Sequence, residues 1–426
     1  MSSSADSLPL PRGFAGYRVL LSRNANMRNI WIGQMVSQLG DWFNTVAVLG
    51  LLLDLTKVPG STSLLIVTQI LPAALAGLFI SGVIADHFDR KKIMVFTCLA
   101  QAAIALVYLF VRSPEQVWMA YAATIGLSIG ASFFQPAFSA ALPNLVSKEE
   151  LPIANALGQS TFASMLFVGA MVGGVAAQVL GRSASFILNS VSFLWAAFFI
   201  WRVKGNFHAS EGRRSLSGSG AIRALTEGFR YLKVNKTVRS FVLAKAPWGF
   251  ALGAVGLYGV YALYIYKVGD IGTSWLYAGR GVGAFIGPFL ITSLMTNLTN
   301  ARMMKILRVA LLVAGGGYFL FGLSTTPLLG VLGVLIGHVG GASLWTFSSI
   351  AVQRSTPDEL RGRVLALDGV IIQLINSFSN LLLGAVATLA YPEFAVFTGV
   401  GLMFIFAIIW MIATRGVGSG ETERAN

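Results

Sequence analysis

From Val58 to Ala85 the chain carries no charged side chain, and apolar runs of comparable length recur along the whole sequence. A helix needs roughly 20 apolar residues to cross the hydrocarbon core of a bilayer. Lipid gives the backbone no hydrogen-bond partner, so an open-ended crossing segment must be helical. These runs predict an all-α polytopic membrane protein. The composition agrees: 55% of residues are hydrophobic and 11% charged, whereas a soluble domain carries about 25% charge.

The runs predict twelve spans, at about 30–53, 60–85, 92–111, 116–140, 153–179, 184–202, 238–266, 271–295, 303–323, 327–352, 363–390 and 394–414. Pro59, Pro114, Pro327 and Pro392 fall in the short connections, where a missing N–H is best tolerated. The division is a polar segment 1–29, a six-helix bundle 30–202, a linker 203–237, a second six-helix bundle 238–414 and a tail 415–426. Residues 1–28 lack the small-residue cleavage pattern of a signal peptide, so the first run is expected to remain as a span. Cys98 is the single cysteine, which rules out an internal disulfide.

A net charge of +14 raises the question of nucleic acid, and its distribution answers it. With both termini inside, Lys57, Arg112, Arg182 and Lys267 are the bases outside, Lys245 and Arg280 fall within spans, and all the others lie inside. Cytoplasmic loops of membrane proteins carry such an excess, so the basicity reports topology and no nucleic-acid partner is expected. In the linker, Ile222, Leu225, Phe229 and Leu232 recur at helical spacing opposite Arg223, Glu227, Arg230 and Lys233. That pattern reads either as an amphipathic helix at the cytoplasmic membrane surface or as a solvated tether. The two bundles also echo each other. "SKEELPIANAL" (147–157) follows the fourth span and "TPDELRGRVLAL" (356–367) the tenth, with the Glu-Leu pairs 209 residues apart, as an internal repeat requires.

Ionisable groups inside a membrane cost at least ~2.5–3.5 kcal/mol on insertion scales and mark functional positions. Asp41 sits near mid-depth of the first span, placed to take and release a proton; the alternative is a carboxylate satisfied by Gln38, Asn44 or Thr45. By helix rise, Arg280 and Asp368 lie within ~8 Å of each other in depth. They are expected either to pair structurally or to bind substrate, with Lys245 snorkelling to the surface or competing for Asp368. His338, near mid-depth of the tenth span, reads as a second coupling group or as a packed polar residue. Gln34, Gln38, Phe134, Gln135, Trp248, Tyr258, Tyr261 and Trp345 are expected to line a cavity between the bundles, as aromatic walls with few polar groups suit amphipathic ligands.

The stretch "GVIADHFDRKK" (82–92) crowds two acids, a histidine and three bases between two apolar runs. Gly82, Ala85, Asp86, Arg90 and Lys91 resemble the loop signature of the major facilitator superfamily, although Asp89 stands where that signature has glycine. "SQLGDWFNTVAVLGLLLDLT" (37–56), "FFQPAFSAALPNLVSKEELPIANAL" (133–157) and "TPDELRGRV" (356–364) are similar to the branch containing enterobactin exporters and macrolide efflux pumps. "VGAMVGG" (168–174) resembles the glycine-rich fifth-helix signature of exporters, with Ala170 in place of proline.

The resemblance implies a cytoplasmic gate. Gly82 would admit a close helix, and Asp86 would face the N-terminus of the eleventh span near Gly362, where free amides favour a carboxylate. Arg90 and its basic neighbours would hold the turn at anionic headgroups. It further implies a monomeric secondary transporter of the bacterial plasma membrane, exporting hydrophobic or amphipathic small molecules in exchange for protons or sodium. Lipid translocation and small-solute uptake remain open on the same fold. No nucleotide-binding loop, H-E-x-x-H pattern or nucleophile motif occurs, so no cofactor, metal or enzymatic activity is expected.

Overall fold

The computed structural model describes residues 13–81, 84, 87–205, 207, 218–294 and 299–417. A surface helix α1 (Phe14–Arg23) leads into six long helices: α2 (Ala25–Thr56), α3 (Gly60–Ser81), α4 (Arg90–Phe110), α5 (Pro114–Asn144), α6 (Leu151–Val179) and α7 (Arg182–Trp201). A linker helix α8 (Gly218–Val234) precedes six more: α9 (Lys236–Ile265), α10 (Asp270–Leu294), α11 (Asn300–Gly322), α12 (Pro327–Ser355), α13 (Asp358–Leu389) and α14 (Pro392–Ala413). Among the described residues, eleven helices are long and apolar enough to cross a membrane. The remaining long helix is α10, whose apolar character is diluted by Asp270, Arg280 and its glycines. The first six long helices form one bundle and the last six another.

Sequence sets where these helices begin. Asn24, Asp89, Asn235 and Thr299 each accept a hydrogen bond from the backbone N–H three residues on, capping α2, α4, α9 and α11. Such a cap satisfies one of the amide groups that a helix start leaves without a partner. Pro114, Pro327 and Pro392 occupy first-turn positions, where the missing N–H costs nothing. Within the membrane the ladders are less regular. α3 widens to a π-turn at Gly77–Ser81 after Pro72, α6 does so at Met165–Gly169, and α9 passes through a 3-10 stretch at Gly253–Leu257 and a π-turn at Tyr261–Ile265.

We call the side where α2 begins the basic face and the side where it ends the far face. Contacts between the bundles run from the far face to mid-depth. The Gly60 N–H donates to Thr388 Oγ1 at 3.0 Å, and the Tyr264 hydroxyl donates to the Leu53 carbonyl at 3.2 Å. Gly281 of α10 lies so close to α6 that a Cβ there would stand 3.0 Å from the Phe167 nitrogen. Small residues permit this approach between membrane helices. Deeper in the second bundle the same device joins α11 to α12, where a Cβ on Gly317 would stand 2.1 Å from the Gly337 nitrogen.

Helix α8 docks on α13 at the basic face. Leu225 and Leu232 turn toward the bundle, while Ile222 and Phe229 are exposed. The four apolar residues therefore form two adjacent stripes, one against protein and one facing outward. Glu227 accepts from Arg223 Nε at 2.9 Å and pairs with Arg363 of α13 at 2.5 Å. The hydrogen bond from Arg223, with the charge of Arg363, holds its carboxyl below the usual range. The attachment is thus complete at neutral pH and loosens as pH falls through that depressed value, because protonation removes the charge both arginines answer.

Replacing Gly317 by leucine should lower the thermal unfolding temperature in detergent sharply, since overpacking a tight contact costs typically ~1–3 kcal/mol or more. The adjacent Gly316, which has open space around its Cβ position, should accept leucine with little change in the same measurement.

Candidate functional site

At the far face one arginine joins the two bundles. Arg182, at the start of α7, pairs with Asp54 at the end of α2, and its Nε donates to Asp270 at the start of α10 at 2.8 Å. Gly50 leaves the room, since a Cβ there would stand 2.1 Å from Asp270 Oδ1. Sequence reading missed this triad, because its members look like three unrelated charges at span ends. The recoverable signal was that each stands at the far end of its own span.

This triad also sets the relative depth of the two bundles. Asp54 and Asp270 share one guanidinium and so lie at one level. From residue 54 back to 41 is thirteen residues of α2, and from 270 on to 280 is ten residues of α10. At 1.5 Å per residue these place Asp41 ~20 Å and Arg280 ~15 Å below the triad. Across the bundles, Trp42 meets Tyr277 edge to face at 5.2 Å between ring centroids.

Both charges turn toward the interior. On α2, Gly33 and Gly40 press on α7, and Trp42 packs on Gly169 of α6. Gln34, Gln38, Asp41 and Thr45 share the arc between those contacts, because helical positions four and seven apart fall on one face. On α10, Ser274 and Gly281 meet α6, Gly279 and Gly283 meet α12, and Phe289 is exposed on the outer side. Arg280 lies about 180° round from Phe289 at 3.6 residues per turn, between the α6 and α12 contacts. Asp41 is exposed and Arg280 half-exposed, although both sit at mid-depth. No side-chain hydrogen bond or ion pair reaches either of them among the described residues.

Lys245 and Asp368 behave otherwise. They pair directly, with side-chain exposures of 1% and 7%. Lys245 Nζ also donates to Ser349 Oγ at 3.0 Å and lies 4.8 Å from the Trp345 ring centroid. Of the stated alternatives, Lys245 takes Asp368 and does not snorkel to the surface, and the structural Arg280–Asp368 pair does not form. Depth brought Arg280 and Asp368 to similar levels, but rotation about the helix axes gave Asp368 to lysine.

The remaining candidates separate by exposure. Gln135 and Trp345 are exposed and Gln38 and Phe134 half-buried, while Gln34 is buried. Trp248, Tyr258 and Tyr261 are also buried, within the second bundle and not on an open wall. Trp248 fills the notch at Gly341, Tyr258 stacks edge-on to Tyr277, and Tyr261 packs on Phe321 toward the far face. His338 is buried between Trp248 and Tyr318 with Nδ1 3.1 Å from the Val334 carbonyl. Its Nε2 has no hydrogen-bond partner among the described residues.

Of the gate residues, Gly82, Ala85 and Asp86 lie outside the described residues. Arg90 is buried, donating to the Ala140 carbonyl at 2.9 Å, so it braces α4 against α5 and does not reach out to headgroups. Gly362 is exposed, but α13 begins at Asp358. The free amides of that helix are therefore a turn earlier than Gly362. In the glycine-rich segment, Gly174 meets Ser274 of the opposite bundle, whereas Gly169 and Gly173 receive Trp42 of α2.

The sequence model of the family described as "Transmembrane secretion effector" matches residues 21–422. The "Putative bacilysin exporter BacE" of Bacillus subtilis (strain 168) is 26% identical over 94% of this chain and 96% of its own. "Macrolide efflux protein A" of Streptococcus pyogenes is 25% identical over 81% of this chain and 85% of its own. Among solved structures, a peptide transporter POT superposes with a TM-score of 0.73 at 12% identity, covering 96% of each chain. The nucleoside transporter NupG gives 0.71 at 12% identity over 91% of this chain and 99% of its own. These structural likenesses show a shared fold.

Changing Lys245 to methionine should destabilise the protein by ~3–5 kcal/mol in thermal or denaturant unfolding, because it strands a buried carboxylate. The double change Lys245→Met with Asp368→Leu should recover most of that loss. Arg182→Gln should leave Asp54 and Asp270 without their shared cation and raise the thiol labelling rate of a cysteine placed at Thr388.

Proposed function

Because this chain belongs to the transmembrane secretion effector family of the major facilitator superfamily, and is a membrane transporter and not an enzyme, we propose that it exports amphipathic small molecules in exchange for protons. The excess of basic residues on the face where α2 begins supports a cytoplasmic orientation for that face in a bacterial plasma membrane. Similarity to a "Putative bacilysin exporter" and a "Macrolide efflux protein A" supports the direction.

Asp41 carries the reading. It is an exposed carboxylate at mid-depth, without a partner, beneath a far face that the triad and the glycine contacts hold shut. A site open to water from one side is what alternating access requires of one half of its cycle. Substrate enters from the cytoplasmic side while Asp41 gives up its proton. Separation of Asp270 from Arg182 and Asp54 then opens the far face, and Asp41 takes a proton there. The gate at Asp86 and the coupling role of His338 belong to the same proposal, with His338 second to Asp41 because it is enclosed.

Purified protein in proteoliposomes under an imposed pH gradient tests this, using a macrolide and a cationic dye as transported probes. Gradient-driven accumulation is expected for wild type. Asp41→Asn should fall to the level of protein-free vesicles while keeping its unfolding temperature. Wild-type gradient-driven uptake in that variant would remove Asp41 from the coupling step.

A further inference from the structure

Asp41 and Arg280 differ from the neighbouring membrane charges in one respect. Lys245, Asp368, Asp54, Arg182 and Asp270 all hold an opposite charge. Among the described residues Asp41 and Arg280 hold none, yet they lie at depths that differ by only ~5 Å by helix rise. One sits on the first bundle and the other on the second, on either side of the Trp42–Tyr277 contact. Both are open to the interior.

A ligand filling the space between Asp41 and Arg280 has to answer both groups. A neutral ligand leaves two charges without hydrogen bonds, and a singly charged ligand leaves one. Each stranded charged group costs more than an ordinary lost hydrogen bond. A ligand carrying a cation and an anion answers both. Near Arg280 the Tyr258 and Tyr318 hydroxyls are buried beside each other.

We infer that the cavity selects zwitterionic amphiphiles, with the cationic group at Asp41 and a carboxylate or phosphate at Arg280. This rests on the transport reading and narrows its substrate class. A zwitterion held this way bridges the two bundles, and its cation competes with the proton for one carboxylate. Binding the substrate then expels the proton directly, with no relay between separate sites.

The test uses full-length protein in lipid nanodiscs and three matched probes followed by tryptophan fluorescence. These are the free dipeptide leucyl-phenylalanine, its N-acetyl form and its C-terminal amide. The free dipeptide should bind saturably, and each capped form about tenfold or more weakly. Arg280→Gln should abolish the preference for the free dipeptide over its amide, and Asp41→Asn the preference over its N-acetyl form. Equal affinity for all three probes, or no saturable binding of the free dipeptide, overturns the inference. The pH-gradient assay run on the same preparation separates the two readings. If the macrolide or dye moves while the dipeptides are not distinguished, this inference falls alone. If charge selection is seen while neither the free dipeptide nor the other solutes move under the gradient, the inference stands and the transport reading falls.

Discussion

A charge inside a bilayer must be answered by an opposite charge, by water or by a ligand, and the charges of this structure divide by whether they have the first of these. The Lys245–Asp368 pair lies within one bundle, so relative motion of the bundles leaves it intact. Its buried geometry fixes α9 to α13 throughout. The Asp54–Arg182–Asp270 triad spans both bundles, so the same kind of bond becomes a closure that motion can break. Asp41 and Arg280 have no opposite charge in contact among the described residues. Which role a charge plays follows from where its partner sits, more than from its own identity.

The contacts that let the bundles approach are made by glycine. Gly281 against α6 and Gly174 against Ser274 bring helices together with little side chain between them. Such surfaces slide or part without first unpacking an interlocked set of large residues. The π-turns in α3, α6 and α9 lie in helices that line this junction. A widened turn leaves a weaker link in the hydrogen-bond ladder, and these links sit where bending would be transmitted between the two faces.

Much of this was legible in the sequence, for a physical reason. Span length and polarity are local properties imposed by lipid, so the apolar runs located the helices to within several residues. The depth of Asp41 followed from counting along one helix. Partnership did not, because it depends on rotation about two axes at once. Arg280 and Asp368 therefore looked matched in depth, and Lys245 looked free to snorkel, until the helices were set side by side. Tyr258 and Tyr261 were legible as aromatics of the ninth helix but not as buried, since α9 is more enclosed than the other spans. The triad was illegible because its meaning lies in three chain ends meeting.

Asp54 is 44% exposed in its pairing with Arg182, so dissolved ions reach that bridge while they are kept from the lysine–aspartate pair deeper in. The Debye length shortens from about 10 Å at 0.1 M salt to about 3 Å at 1 M. The hold that Arg182 keeps on the two bundles at the far face is therefore not a constant of the polypeptide. The surrounding brine sets part of it, and saltier water would slacken that bridge while leaving the deeper lysine–aspartate pair as it is.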